Sequence, residues 1–178
     1  MTTGLQSARS PGNRVMKVNH AGEQGAVCIY RGQRWVARWL MPDLVRELAE
    51  YQSHEERHRA VFEAELVRRG IRRCRSFWLC AGGGAVLGVA TGLMGRKAIA
   101  ATTVAVERVV LRHLEEQKSA LAAVDSAAVT AIKEIEKDER AHHDLSARDL
   151  GRKTWAQGLL MAVVSASTEG VIWLGMRL

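Results

Sequence analysis

Four long stretches of this chain mix apolar with charged positions, as half-buried helices do, and two shorter stretches carry almost no charge. The first mixed stretch predicts a helix from about Asn19, whose side chain can cap it, to Leu40, with Pro42 interrupting it. The second predicts a helix over about 43–69 that stops at Gly70. At 1.5 Å per residue such a helix is about 40 Å long, which suits a long antiparallel bundle. Two more helices are predicted over about 97–124 and 126–150, separated by a turn near Asp125, with Gly151 as the second stop. The uncharged stretch 77–95 holds six glycines, and 154–177 is largely apolar but includes Glu169. Both predict additional apolar helices. The expected fold is all-α: a four-helix bundle with two apolar helices added. Residues 19–178 are expected to form one domain behind a flexible tail, 1–18.

Composition supports helices. Of 178 residues, 47% are hydrophobic but only 5% aromatic, and there are two prolines. The tail lacks the apolar run of a secretory signal. Cys28, Cys74 and Cys80 are odd in number and lack metal-type spacing, so a disulfide framework is not expected and a reducing compartment is.

The chemistry lies in a repeat. Glu23 is followed 32 residues later by Glu55-x-x-His58, and Glu107 is followed 32 residues later by Glu139-x-x-His142. Adding 84 to the first three numbers returns the second three. The i, i+3 spacing puts each Glu and His on one helix face. One Glu from each of two helices and a Glu-x-x-His from each of the other two is the inventory of a dinuclear carboxylate site in a ferritin-like bundle. Four carboxylates and two imidazoles, without thiolates, favour iron or manganese over structural zinc. In that arrangement Glu55 and Glu139 are the natural bridges, and Glu23 and Glu107 the terminal ligands. His20, His54 and His143 lie beside these positions as supporting or surface groups. His113 is a further supporting candidate, and Asp144 is placed either to orient an imidazole or to sit exposed on its helix.

The net charge of +7 calls for an acidic partner. Arg68, Arg69, Arg72, Arg73 and Arg75 crowd together directly before the uncharged stretch 77–95. A basic cluster beside an apolar segment reads better as contact with an anionic membrane surface than as phosphate binding on nucleic acid. No basic motif interleaved with aromatics is present. A solvated helix end is the alternative. The stretch 77–95 is near the lower length limit for a span, and Trp155 and Trp173 lie near the ends of the last apolar helix. Helices lying in the membrane interface are expected, and packing as core is the alternative.

Three segments carry a resemblance that extends from about residue 14 to the C-terminus. Asn19-His20-Ala21-Gly22-Glu23-Gln24-Gly25-Ala26, followed by Ile29-Tyr30-Arg31-Gly32-Gln33, resembles the opening motif of the demethoxyubiquinone hydroxylase family. Thr103-Val104-Ala105-Val106-Glu107 and Asp138-Glu139-Arg140-Ala141-His142-His143-Asp144 resemble its later ligand segments, in the same order and spacing. The resemblance implies a membrane-associated di-iron monooxygenase that uses O2 to hydroxylate the ring of a prenylated demethoxybenzoquinol in ubiquinone biosynthesis. The family's metal positions match Glu23, Glu55, His58, Glu107, Glu139 and His142. Asn19 stands where the family commonly has Asp, Gln24 where it has Tyr, and Leu114 where many members have Tyr.

The expected function is therefore demethoxyubiquinol hydroxylation at a centre of two iron ions per chain, with the apolar helices admitting the prenylated substrate. The expected place is peripheral, at the cytoplasmic face of a bacterial cell membrane, with the mitochondrial inner membrane as the alternative. An accessory lipid-binding protein and a homo-oligomer are further expected partners. The rivals are a di-iron hydroxylase acting on another substrate, such as a modified tRNA base, and a non-enzymatic iron-binding protein.

Overall fold

The computed structural model describes residues 10–178. Of the expected tail, residues 1–9 lie outside the described residues, and 10–18 are already structured. Helix α1 spans Pro11–Leu40. The Ser10 hydroxyl accepts from the Asn13 backbone N–H at 3.3 Å and Pro11 occupies the first turn, a strong start signal. The expected cap at Asn19 is thus corrected. Val15 and Met16 explain the earlier start, because both are buried in one cluster with Phe62, Leu66, Leu114 and Leu121. Asn19 lies within the helix, and its side chain pairs with Gln117.

A 3₁₀ turn at Pro42–Leu44 leads into α2, Val45–Arg68. The chain then forms α3 (Phe77–Leu93), α4 (Arg96–Leu121), α5 (Ser126–Leu150) and α6 (Trp155–Gly175). No strand occurs among the described residues. Gly70, Gly95 and Gly151 take positive φ between helices. Asp125 caps α5 by accepting from the Ala128 N–H, so α4 ends at Leu121, short of the expected 124. Thr154 and Gln157 form a reciprocal capping box at the start of α6.

The packing follows the 84-residue repeat. Helix α1 packs on α2 and α3, α4 packs on α5 and α6, and α2 meets α5. The four mixed helices form the ferritin-like bundle, and each half adds one apolar helix outside it. Contact between α1 and α3 is very close. A Cβ at Gly84 would lie 2.3 Å from the Gly25 carbonyl oxygen, and one at Gly88 would lie 2.2 Å from that of Ile29. The glycines of α3 therefore seat it on the α1 backbone.

The arginine cluster divides in a way its composition conceals. The Arg69 side chain is only 1% exposed and holds Asp125 with two bonds, Nη1–Oδ2 2.6 Å and Nη2–Oδ1 2.9 Å. It also donates to Glu65 and to Asn13 Oδ1. It ties the start of α1 and the end of α2 to the α5 cap, and is not a membrane-facing charge. Arg68 pairs with Glu65, and Arg73 lies over the rings of Phe77 and Trp78. Arg72 and Arg75 stay exposed.

Candidate metal centre

The six residues of the repeat come together inside the bundle. All are buried. Glu23 is supplied by α1, Glu55 and His58 by α2, Glu107 by α4, and Glu139 and His142 by α5. They form two interlocked groups whose ligand-type atoms lie within 4.8 Å of one another: Glu23, Glu55, His58 and Glu139, and then Glu55, Glu107, Glu139 and His142. Glu55 and Glu139 belong to both, and each group draws on both halves of the repeat.

Both imidazoles aim Nδ1 inward. His58 Nδ1 is 2.9 Å from Glu139 Oε1 and 3.6 Å from Glu55 Oε2, and His142 Nδ1 is 3.2 Å from Glu55 Oε1. The outward nitrogens are held. His58 Nε2 is 3.2 Å from Asp138 Oδ2, and His142 Nε2 is 2.9 Å from His54 Nδ1. Asp138 and His54 are themselves 84 residues apart, each directly before the Glu of its motif. With Nε2–H as the donor on each ring, loss of the Nδ1 proton leaves a lone pair facing the carboxylates, the form that binds a cation.

The interior of this site fits a cation. Glu55 Oε1, His58 Nδ1, Glu139 Oε1 and His142 Nδ1 are buried without a hydrogen-bond partner, and all four face the shared space. Burial, then Glu139, pushes the Glu23 and Glu107 carboxyls well above their ordinary range. Burial also acts to raise Glu55, but His142 and His58 outweigh it and hold Glu55 at about 2. Burial acts to lower His58, but Glu139 and Glu55 drive it up to about 11. Four carboxylates this close cannot all be ionised without neighbouring positive charge. The donors are oxygen and nitrogen, with no cysteine in either group.

Spacing alone did not single out Tyr30 and Tyr51. The Tyr30 hydroxyl donates to Glu107 Oε1 at 3.3 Å, and the Tyr51 ring packs at 4.4 Å on that of His142. Neither has a counterpart 84 residues on, so the repeat marked neither, although Tyr30 lies within the opening motif. His113 does not support a ligand; its Nε2 meets Glu169 Oε2 at 2.8 Å, and Arg112 pairs with the same carboxylate. Asp144 pairs with the neighbouring His143 on the surface, and His20 stacks on Phe77.

The four buried glutamates also border a cavity of about 580 Å³ between α1, α3, α4 and α6. Its remaining walls are mostly apolar, with Ile29, Leu87, Val106 and Leu160 among them. A floor of buried carboxylates therefore opens on one side into a mostly apolar pocket flanked by the two apolar helices.

The chain is similar in sequence to several hydroxylases. A mitochondrial NADPH-dependent 3-demethoxyubiquinone 3-hydroxylase of Dictyostelium discoideum is 33% identical over 170 residues, covering 92% of this chain and 76% of that protein. A 3-demethoxyubiquinol 3-hydroxylase of Rhodospirillum rubrum is 30% identical over 165 residues, covering 93% and 77%. The mitochondrial NADPH-dependent enzyme of Homo sapiens is 28% identical over 176 residues, covering 96% and 80%. The family model described as ubiquinone biosynthesis protein COQ7 matches residues 11–175, nearly the whole described chain, and this protein belongs to that family.

Proposed function

We propose that this chain is a 3-demethoxyubiquinol 3-hydroxylase, an O2-dependent di-iron monooxygenase of ubiquinone biosynthesis. The observation that carries the reading is the pair of interlocked carboxylate–imidazole groups at the floor of an apolar cavity. Glu23, Glu55, His58, Glu107, Glu139 and His142 would hold two iron ions, with Glu55 and Glu139 shared. Bound iron supplies the redox chemistry that activates O2. Hydroxylation places one oxygen atom in a ring C–H bond and reduces the other to water, with two electrons and two protons from a reductant. NADPH-dependence in the names of two relatives gives the chemical class of such a donor.

The protein's part is positional. Asp138 and His54 fix the imidazoles through Nε2, and Tyr30 fixes Glu107 by donating to it. The apolar walls exclude water and accommodate a ring with a prenyl tail.

The membrane reading rests on α3 and α6. Helix α6 is long and apolar enough to cross a membrane, yet it packs along α4, which carries Arg108, Arg112, Glu115 and Glu116. A span by α6 would carry those charges into the bilayer. Away from the cavity lining, both helices expose large apolar side chains, Trp78 and Leu93 on α3 and Leu159 and Trp173 on α6. Helices lying in the interface suit that arrangement, with the protein peripheral to a bacterial inner or mitochondrial inner membrane.

The test is direct. Purified protein should bind about two iron ions per chain, the stoichiometry of a dinuclear site, and with a reductant should hydroxylate a demethoxyubiquinol. Iron binding without hydroxylation would leave the non-enzymatic reading in its place, and absence of iron would remove both.

A further inference from the structure

Away from its glutamate floor, the cavity wall carries Ser167 and Thr168, whose hydroxyls donate to carbonyls of their own helix, and a polar cluster at one end. Asn19, His113 and Gln117 line that end, and Ile29, Leu87, Ala90, Val106 and Leu160 line the other. Two contacts fix the register of α1 against α4: Asn19 with Gln117, and Tyr30 with Glu107. Numbers rise on one helix as they fall on the other, so the helices run antiparallel. Asn19 lies one turn, about 6 Å, beyond Glu23. That step is comparable to the breadth of a substituted six-membered ring.

The polar end has one unspent hydrogen-bonding device. His113 is engaged, with Nε2 at Glu169 and Nδ1 3.6 Å from Glu116. Asn19 and Gln117 bond to each other reciprocally, Nδ2–Oε1 2.8 Å and Nε2–Oδ1 3.1 Å. Each primary amide has two N–H donors and two lone pairs. The reciprocal pair uses one of each. Each amide therefore keeps a donor and an acceptor at the cavity wall.

We propose that the Asn19–Gln117 amide pair seats the oxygens of the substrate ring, so that the ring lies beside Glu23 and the tail runs toward Ile29, Leu87 and Ala90. This rests on the proposed quinol hydroxylase reading. An amide pair serves both redox states of the ring: its acceptors take the hydroxyls of a quinol, and its donors meet the carbonyls of a quinone. A carboxylate at position 19 would offer acceptors alone. Asn19 thus makes the seat tolerant of the ring's oxidation state.

The experiment uses the iron-loaded full chain and its N19D and N19L variants, with a short-tailed demethoxybenzoquinone and its reduced quinol. Binding is measured anaerobically by equilibrium dialysis, and iron content and helicity are measured alongside. N19D should lose about tenfold in affinity for the quinone and less than about threefold for the quinol. N19L should lose about tenfold for both and raise KM by a similar factor. Iron content should not change. If the wild type turns over the quinol and both variants bind both ring states as it does, the seat is wrong and the hydroxylase reading stands. If the wild type binds neither ring state, the hydroxylase reading fails and the seat fails with it.

Discussion

At the scale of single residues, the site is a question of which side chains are shared. Glu55 and Glu139 sit in both candidate metal-holding groups, while His58 and His142 sit in one each. Glu55→Ala and Glu139→Ala should each strip nearly all bound iron and abolish hydroxylation. His58→Ala should weaken one position more than the other. Metal analysis with circular dichroism checks this, and helicity should persist because apolar faces, not ligands, hold long helices together. Normal iron content in either Glu variant would remove that residue from the centre. Asp138→Ala should act more mildly, lowering metal affinity about 10- to 100-fold, because it orients His58 without being part of either group. A metal titration measures that difference.

At the scale of elements, two contacts decide how helices meet. On α3, Gly88→Ala drives a Cβ into the Ile29 carbonyl, whereas Gly82→Ala meets nothing within 4 Å. Thermal unfolding should show Gly88→Ala destabilised by about 2 kcal/mol or more. Gly82→Ala should be neutral or stabilised by up to about 1 kcal/mol, the helix-propensity gain. At the bundle end, Arg69→Gln leaves Asp125 and Glu65 without their buried partner and should cost about 3 kcal/mol. The Arg69 guanidinium holds the Asp125 carboxyl below its ordinary value. A depressed carboxyl contributes stability above its unfolded pKa, and that contribution is lost as pH falls through the folded value. The gap between wild type and Arg69→Gln should therefore hold near neutrality and close below about pH 4. Denaturant titrations across that range measure it.

At the scale of the whole molecule, the two halves depend on each other. Helices α1–α3 and α4–α6 repeat one plan, yet each candidate metal-holding group takes residues from both. We propose that residues 10–178 act as one domain, which should unfold in a single transition that iron shifts upward. Membrane attachment belongs to this scale too. Of the five clustered arginines, Arg72 and Arg75 are free of ion pairs among the described residues, and Arg73 is exposed above Phe77 and Trp78. Replacing these three by Gln should weaken binding to anionic vesicles by about 1 kcal/mol per charge and leave neutral vesicles little affected. Salt should reduce the difference. Unchanged sedimentation with anionic vesicles would return these arginines to the status of a solvated helix end.

The helices and the site's composition were legible in the sequence because each is written locally. Charged and apolar positions alternate along α2, α4 and α5, and Glu-x-x-His spacing places two side chains on one helix face wherever that helix goes. The 84-residue repeat carried the same message from one half to the other. The start of α1 was not legible: Ser10–Pro11 is a sound cap, but only burial of Val15 and Met16 against distant helices draws the segment into the bundle. The fate of Arg69 was equally hidden, since five neighbouring arginines look alike until Asp125, 56 residues away, takes one of them inside. Tyr30, Tyr51, His54 and Asp138 gained their roles in the same way, from the facing of helices far apart in sequence. Local spacing determines which groups share a helix face. What those groups touch is decided by the packing of several faces at once, and a linear pattern does not encode it.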